Sequence, residues 1–202
     1  MPGAAASALF ARAAQLRRRR TGRPLPCLLA FTDPARTPDP LALARALPRG
    51  AAIVYRAFGS ADAAVTGARI AMVCRRRGIR LLIGADEALA RRLRADGVHR
   101  PERDVGRRGV SKRTWIVTAA AHAPAALTRA AAAGIDAAIV SPVFPSDSPS
   151  AGAPIGVRRL RAWVGAARLP VYALGGVTVQ TARTLPRGIL AGIAAIGGLI
   201  KT

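Results

Sequence analysis

From residue 24 onward the chain alternates short apolar runs with stretches whose apolar residues recur at helical spacing. The runs cover 27–32, 52–55, 80–83, 97–99, 115–118, 137–141, 171–174 and 192–196. Each is continuously apolar rather than alternating, as expected for parallel strands covered on both faces. Helical patterns fall between them at 40–47, 61–77, 86–93, 123–133, 157–166 and 178–185. Local punctuation supports these bounds. Asp39 and Pro40 form a cap-plus-proline start, Ser60 is placed to cap 61–77, and Gly78 and Gly134 end their helices. Residues 101–113 are polar and predict one helical turn.

Alternating βα units around eight strands predict a compact TIM (β/α)8 barrel rather than an open doubly wound sheet. At 202 residues the chain is near the lower edge for that fold, so its loops must be short. The few residues after 196 leave no length for a closing C-terminal helix. Residues 1–24 form a basic Ala/Arg arm whose 4–19 stretch is rich in helix formers. The expected organisation is that arm followed by a barrel domain over 25–202, with the N-terminal helix covering the gap beside the eighth strand.

Composition narrows the function classes. Half the residues are apolar but only eight are aromatic, so Ala, Leu, Val and Ile must fill the core. No apolar run reaches the length of a membrane span. The net charge is +22, and all basic residues but Lys112 and Lys201 are Arg. Two readings stand: a coding bias toward Arg and Ala, or attraction to polyanions such as nucleic acid, anionic lipid or phosphorylated metabolites. Aromatics are not interleaved with the basic residues, which argues against sequence-reading of nucleic acid. Cys27 and Cys74 each lie in an apolar run, as buried thiols do, and two Cys with two His do not make a zinc site. This points to a reducing, cytoplasmic setting. The block 17–20 follows the apolar N-terminal part, the wrong order for a secretory signal.

Five pieces at strand ends carry a family resemblance. They are Phe31-Thr32-Asp33, Val54-Tyr55-Arg56, Ala95-Asp96-Gly97-Val98-His99, Ser141-Pro142-Val143-Phe144-Pro145, and Ala173 to Thr178 taken with Ala194 to Gly198. In this order they resemble thiamine phosphate synthase and its relative, the thiazole tautomerase. The resemblance implies a transferase that joins a hydroxymethylpyrimidine diphosphate to a thiazole phosphate and releases pyrophosphate, with Mg²⁺ and basic side chains stabilising the leaving group. It places the thiazole phosphate on Gly175, Gly176, Gly197 and Gly198, where backbone N–H groups can face an anion. It places the diphosphate on Arg56, Ser146 and Ser148, and Mg²⁺ on Asp104 and Asp86.

The chain also departs from the family pattern. Phe58 replaces a Lys, Gly84-Ala85 replaces an Asn-Asp pair, and the loop Ser146-Asp147-Ser148-Pro149-Ser150 lacks a further Lys. These losses support an alternative, a catalytically degenerate barrel that binds thiazole phosphate or another phosphorylated metabolite. A tautomerase would require a His where Pro142 stands; His122 is shifted from a family His position, and His99 reads as a packed strand residue. A polyanion-binding protein rests on charge alone. The expected partners are small phosphorylated molecules, with no membrane and no nucleic acid, and an apolar face left by the missing helix would suggest a homodimer.

Overall fold

The computed structural model describes residues 3–17, 24–106, 114–146 and 152–199. Eight parallel strands close into a barrel in sequence order. They are β1 (Leu28–Phe31), β2 (Ala52–Tyr55), β3 (Arg80–Gly84), β4 (Gly97–Arg100), β5 (Ile116–Ala121), β6 (Ala137–Val140), β7 (Val171–Ala173) and β8 (Gly192–Ile196). The seam is regular: Leu28 to Phe31 of β1 pair with Ile193 to Ile196 of β8. The helices are α1 (Ala4–Leu16), α2 (Pro40–Ala46), α3 (Ala63–Arg77), α4 (Glu87–Arg92), α5 (Pro124–Ala132) and α6 (Gly156–Ala166), with short 3-10 turns at Glu102–Asp104 and Thr181–Thr184.

Two apolar layers hold the barrel. Inside it, Leu29, Phe31, Val54, Leu82, Ile139 and Tyr172 fill the lumen beside small residues such as Ala52, Ala137 and Ala194. Outside, the other face of each strand packs under the helices through residues such as Leu43, Ile70, Leu127 and Leu160. Both faces of each strand are therefore dry, which is why the runs read as continuously apolar. Cys27 and Cys74 are free and buried. Burial pushes the Cys74 thiol up to about 12, so it is inert at neutral pH.

The eighth helical position is filled from the other end of the chain. α1 buries Ala6, Leu9, Ala13 and Leu16, a stripe at helical spacing. Its first end meets the chain after β8, since a Cβ on Gly3 would lie 3.4 Å from the Leu199 carbonyl oxygen. Its last end meets the chain before β8, where Gly188 N–H donates to the Leu16 carbonyl at 3.0 Å. α1 therefore runs antiparallel to β8, where a barrel's last helix lies. Arg12 extends from α1 to the carbonyls of Ala182 (2.9 Å), Arg183 (2.9 Å) and Leu185 (3.3 Å), capping the second 3-10 turn.

Two local expectations need correction. The predicted helix over 178–185 is only the 3-10 turn Thr181–Thr184. Thr178 and Thr181 hydrogen-bond to each other's backbone N–H and Thr184 Oγ1 donates to the Thr181 carbonyl, so side chains compete with the helical ladder, and Pro186 follows. Ser60 does not cap α3. The N-cap is Asp62, and the Ser60 hydroxyl bonds to its carboxylate instead. The turn within 101–113 is Glu102–Asp104, and 107–113 lie outside the described residues. Among the described residues no helix is long and apolar enough to cross a membrane.

Candidate active site

The C-terminal ends of the strands bring a polar ring to one mouth of the barrel, the face on which such barrels carry their sites. It begins after β1. Asp33 Oδ1 accepts the backbone N–H groups of Ala35 (3.2 Å) and Arg36 (3.1 Å), while Thr37 Oγ1 accepts the Asp33 N–H (2.6 Å) and donates to its carbonyl (2.9 Å). This local network fixes the loop 33–37. Asp33 Oδ2 then receives two guanidiniums, Arg36 Nη2 at 3.0 Å and Arg56 Nη2 at 3.2 Å. The hydrogen bond from Arg36 holds the Asp33 carboxyl below its usual value, with both arginine charges adding to that effect against burial.

Arg56, one residue beyond β2, is fixed on every side. Its N–H donates to Thr32 Oγ1 (2.9 Å) and its Nε to the Thr32 carbonyl (2.7 Å). Its guanidinium carbon lies 5.6 Å from the Phe31 ring centre and 4.9 Å from that of Phe58. Burial lowers its pKa; Asp33 opposes this and the Arg36 charge adds to it. The side chain lies across the end of β3, where a Cβ on Gly84 would come 2.8 Å from Arg56 Cγ. A larger residue at position 84 would displace Arg56.

On β4, the His99 ring meets Phe31 edge-on at 5.0 Å and its Nδ1 lies 3.0 Å from Thr118 Oγ1. Burial, aided by the charge of Arg56, holds its pKa down at about 3, so the ring is neutral. After β5, His122 Nδ1 lies 2.8 Å from the Ser141 carbonyl oxygen and 3.4 Å from Ser141 Oγ. A carbonyl only accepts, so Nδ1 carries the proton and in the neutral ring Nε2 carries the lone pair. Glu102 fixes this corner by accepting the His122 N–H (2.8 Å) and pairing with Arg129 (2.7 Å).

The two glycine turns complete the ring. Gly175 and Gly176 have φ of 91° and 61°, and Gly197 and Gly198 have 71° and 63°. The first pair packs directly on the loop after β6. Val143 N–H donates to the Leu174 carbonyl (2.9 Å) and Phe144 N–H to the Gly175 carbonyl (3.0 Å). A Cβ on Gly176 would lie 2.2 Å from the Pro145 carbonyl oxygen. Thr181 Oγ1 secures the turn by donating to the Gly176 carbonyl at 2.8 Å. Carbonyls and missing side chains thus serve packing. Among the described residues none of the four glycine N–H groups donates to a carbonyl. Arg36 lies against the second turn, 3.5 Å from where a Gly197 Cβ would stand.

The two expected metal ligands stand on separate elements. Asp86 Oδ1 accepts the Leu89 N–H at 2.8 Å as the N-cap of α4. Asp104 lies in the 3-10 turn after β4. Among the described residues no three His, Cys, Asp or Glu side chains form a group that could hold a metal ion. Mg²⁺ held by one or two carboxylates together with phosphate oxygens does not require such a group. Ser146 stands on the loop after β6, and Ser148 lies outside the described residues. Arg36, Asp33 and His122 belong to the mouth although sequence reading did not assign them there. A concavity of about 440 Å³, lined by Arg12, Gln15, Arg183, Leu185 and Arg187, lies beside α1, away from this ring.

A family model described as thiamine monophosphate synthase matches residues 28–199. The chain belongs to that family. It is 30% identical over 182 residues to the thiamine-phosphate synthase of Alcanivorax borkumensis, covering 85% of this chain and 84% of that one. It is 29% identical over 138 residues to the thiamine-phosphate synthase of Lactococcus lactis subsp. cremoris (strain MG1363). That match spans 66% of this chain and 63% of the relative, so it covers less than two thirds of the relative's length. Among solved structures, a thiamine phosphate pyrophosphorylase from Pyrococcus furiosus superimposes with a TM-score of 0.63 at 20% identity, over 91% of this chain and 87% of its own. A 2-keto-3-deoxy-6-phosphogluconate aldolase of Zymomonas mobilis, with 3-phosphoglycerate, gives 0.55 at 13% identity over 85% and 81%. These likenesses establish the barrel fold; the family rests on the sequence match.

Proposed function

We propose that this member of the family joins a hydroxymethylpyrimidine diphosphate to a thiazole phosphate with release of pyrophosphate. In that reaction the bond from the pyrimidine methylene to the diphosphate oxygen breaks, its electron pair leaves with pyrophosphate, and the thiazole nitrogen forms the new C–N bond. No proton transfer is needed, so the protein's contribution is to align two phosphorylated molecules and stabilise departing negative charge. The observation that carries this reading is the pairing, at one barrel mouth, of two glycine turns whose N–H groups donate to no backbone carbonyl among the described residues with guanidiniums anchored by Asp33. The turns after β7 and β8 suit a phosphate monoester. Arg56 suits the diphosphate, and Ser146 and Ser148 are the hydroxyls the resemblance assigns to it. No step here is assigned to Mg²⁺, since Asp86 is turned to its helix.

A second reading is favoured by that same Asp86 and by Arg56, whose Nε and Nη2 already bond Thr32 and Asp33. On this reading the barrel binds a phosphorylated metabolite without coupling it. One experiment separates the two. The chain is incubated with both substrates and Mg²⁺, pyrophosphate release is followed, and thiazole phosphate binding is measured by calorimetry. Release supports the transferase. Binding without release supports the degenerate barrel, and absence of both removes the two readings together.

A further inference from the structure

We propose that the concavity beside α1 is a second anion site, in which Arg12, Arg183 and Arg187 take a small diphosphate. It lies away from the barrel mouth and does not depend on the reaction proposed there.

Three observations converge on it. The first is in the sequence. All ten Asp and Glu residues fall between Asp33 and Asp147, so neither 1–32 nor 148–202 contains one. The fold packs α1, from the first of these stretches, against the 3-10 turn Thr181–Thr184, from the second. Neither side of that seam has a carboxylate of its own to offer. The second is shape. The concavity encloses about 440 Å³, within the range of small-molecule sites. Its lining is Arg12, Gln15, Arg183, Leu185 and Arg187, with no acidic and no aromatic residue among them. Without an aromatic it gives a nucleobase nothing to stack on, and one leucine offers little to an apolar body. A compact, highly charged anion suits it better. The third is the arrangement of charge. Arg12 Nε donates to the Ala182 carbonyl (2.9 Å), its Nη2 to those of Arg183 (2.9 Å) and Leu185 (3.3 Å), and its Nη1 to Gln15 Oε1 (3.3 Å). These acceptors are all neutral, so they fix the guanidinium in place without cancelling its charge. Burial lowers the Arg12 pKa, and the nearby charge of Arg187 lowers it further. Arg183 and Arg187 are exposed, and among the described residues neither pairs with a carboxylate. Arg12 therefore supplies a fixed positive charge, and Arg183 and Arg187 keep forked donors for a ligand. Three cations call for more than one negative charge, which two linked phosphoryl groups provide.

The test modifies the arginines of the full chain with phenylglyoxal, with and without inorganic diphosphate at constant ionic strength. Peptide mass spectrometry gives the rate at each arginine, so an anion held at the barrel mouth cannot imitate the result. Diphosphate should slow Arg183 and Arg187 about fivefold or more, while Arg75 and Arg76, exposed in the last turn of α3, change less than about twofold. Arg187→Gln, a surface change that the fold tolerates, should raise the diphosphate concentration that half-protects Arg183 about tenfold or more. Arg75→Gln removes the same charge elsewhere and should leave that concentration within about threefold. Equal slowing at Arg75 and Arg76 would mean that diphosphate meets only the general positive field, and unchanged rates at Arg183 and Arg187 would mean that it does not enter the concavity. Either result overturns the proposal. So does equal protection by inorganic phosphate at the same concentration, since the site would then not read two phosphoryl groups.

Discussion

Gly176 has no room for a side chain. A Cβ there would lie 2.2 Å from the Pro145 carbonyl oxygen and 2.8 Å from Phe144 Cβ, at a φ of 61°. Gly176→Val should cost about 2 kcal/mol or more, read as a lower midpoint in chemical denaturation, and should abolish thiazole phosphate binding at temperatures where the variant remains folded. A stable variant with intact binding would show that the turn is not part of the site. His99 makes a different prediction at the same scale. Its ring titrates at about 3 in the folded protein against an ordinary value of 6.5. Between those values the unfolded chain binds a proton that the folded chain does not, so stability falls as pH drops from 6.5 toward 3 and is complete above 6.5. Thermal melts across that range should therefore be flatter for His99→Gln than for the unaltered chain. Asp33, also depressed, adds its own loss at lower pH, as pH falls through its folded pKa.

Among the elements, α1 makes the sharpest claim. If it serves as the barrel's last outer helix, Leu9, buried against it, should behave as a core residue. Leu9→Ala is expected to destabilise the whole domain by about 2–4 kcal/mol in one cooperative transition. A change below about 0.5 kcal/mol would mean that α1 is an appendage. The strands were the most legible part of the chain. The apolar runs at 52–55 and 192–196 are β2 and β8 to the residue, because two dry faces leave an unbroken hydrophobic signature. Helix starts were less legible at Asp62, where Ser60 and Asp62 are both good caps and only tertiary geometry chooses. The region after Thr178 failed for a related reason, since its threonines bond locally in ways composition does not reveal. At the mouth, Arg56 could be placed from its position just past a strand. Its partners Asp33 and Arg36 could not, because their meeting depends on the β1–β2 pairing and on the fold of one loop. The capping role of Asp86 was readable in advance, and its Oδ1 accepts the Leu89 N–H.

At the scale of the molecule, a net charge of +22 surrounds a site proposed to bind anions. Such a field raises the local concentration of phosphorylated ligands and is screened within about 10 Å at 0.1 M salt. Thiazole phosphate binding should accordingly weaken several-fold between 50 and 500 mM salt, chiefly through a slower association rate in stopped-flow measurements. A salt-independent rate would assign all the attraction to the short-range contacts of the mouth. The placement of α1 has one more consequence. Strands and helices form two concentric rings, and the chain enters them at different points: the strand ring begins at β1, the helix ring one position earlier. Gly3 consequently lies beside Leu199. A short linker from Leu199 to Gly3, with new ends opened in an exposed loop, would leave both rings of strands and helices intact. Whichever helix comes first in the gene, the same cylinder is wrapped.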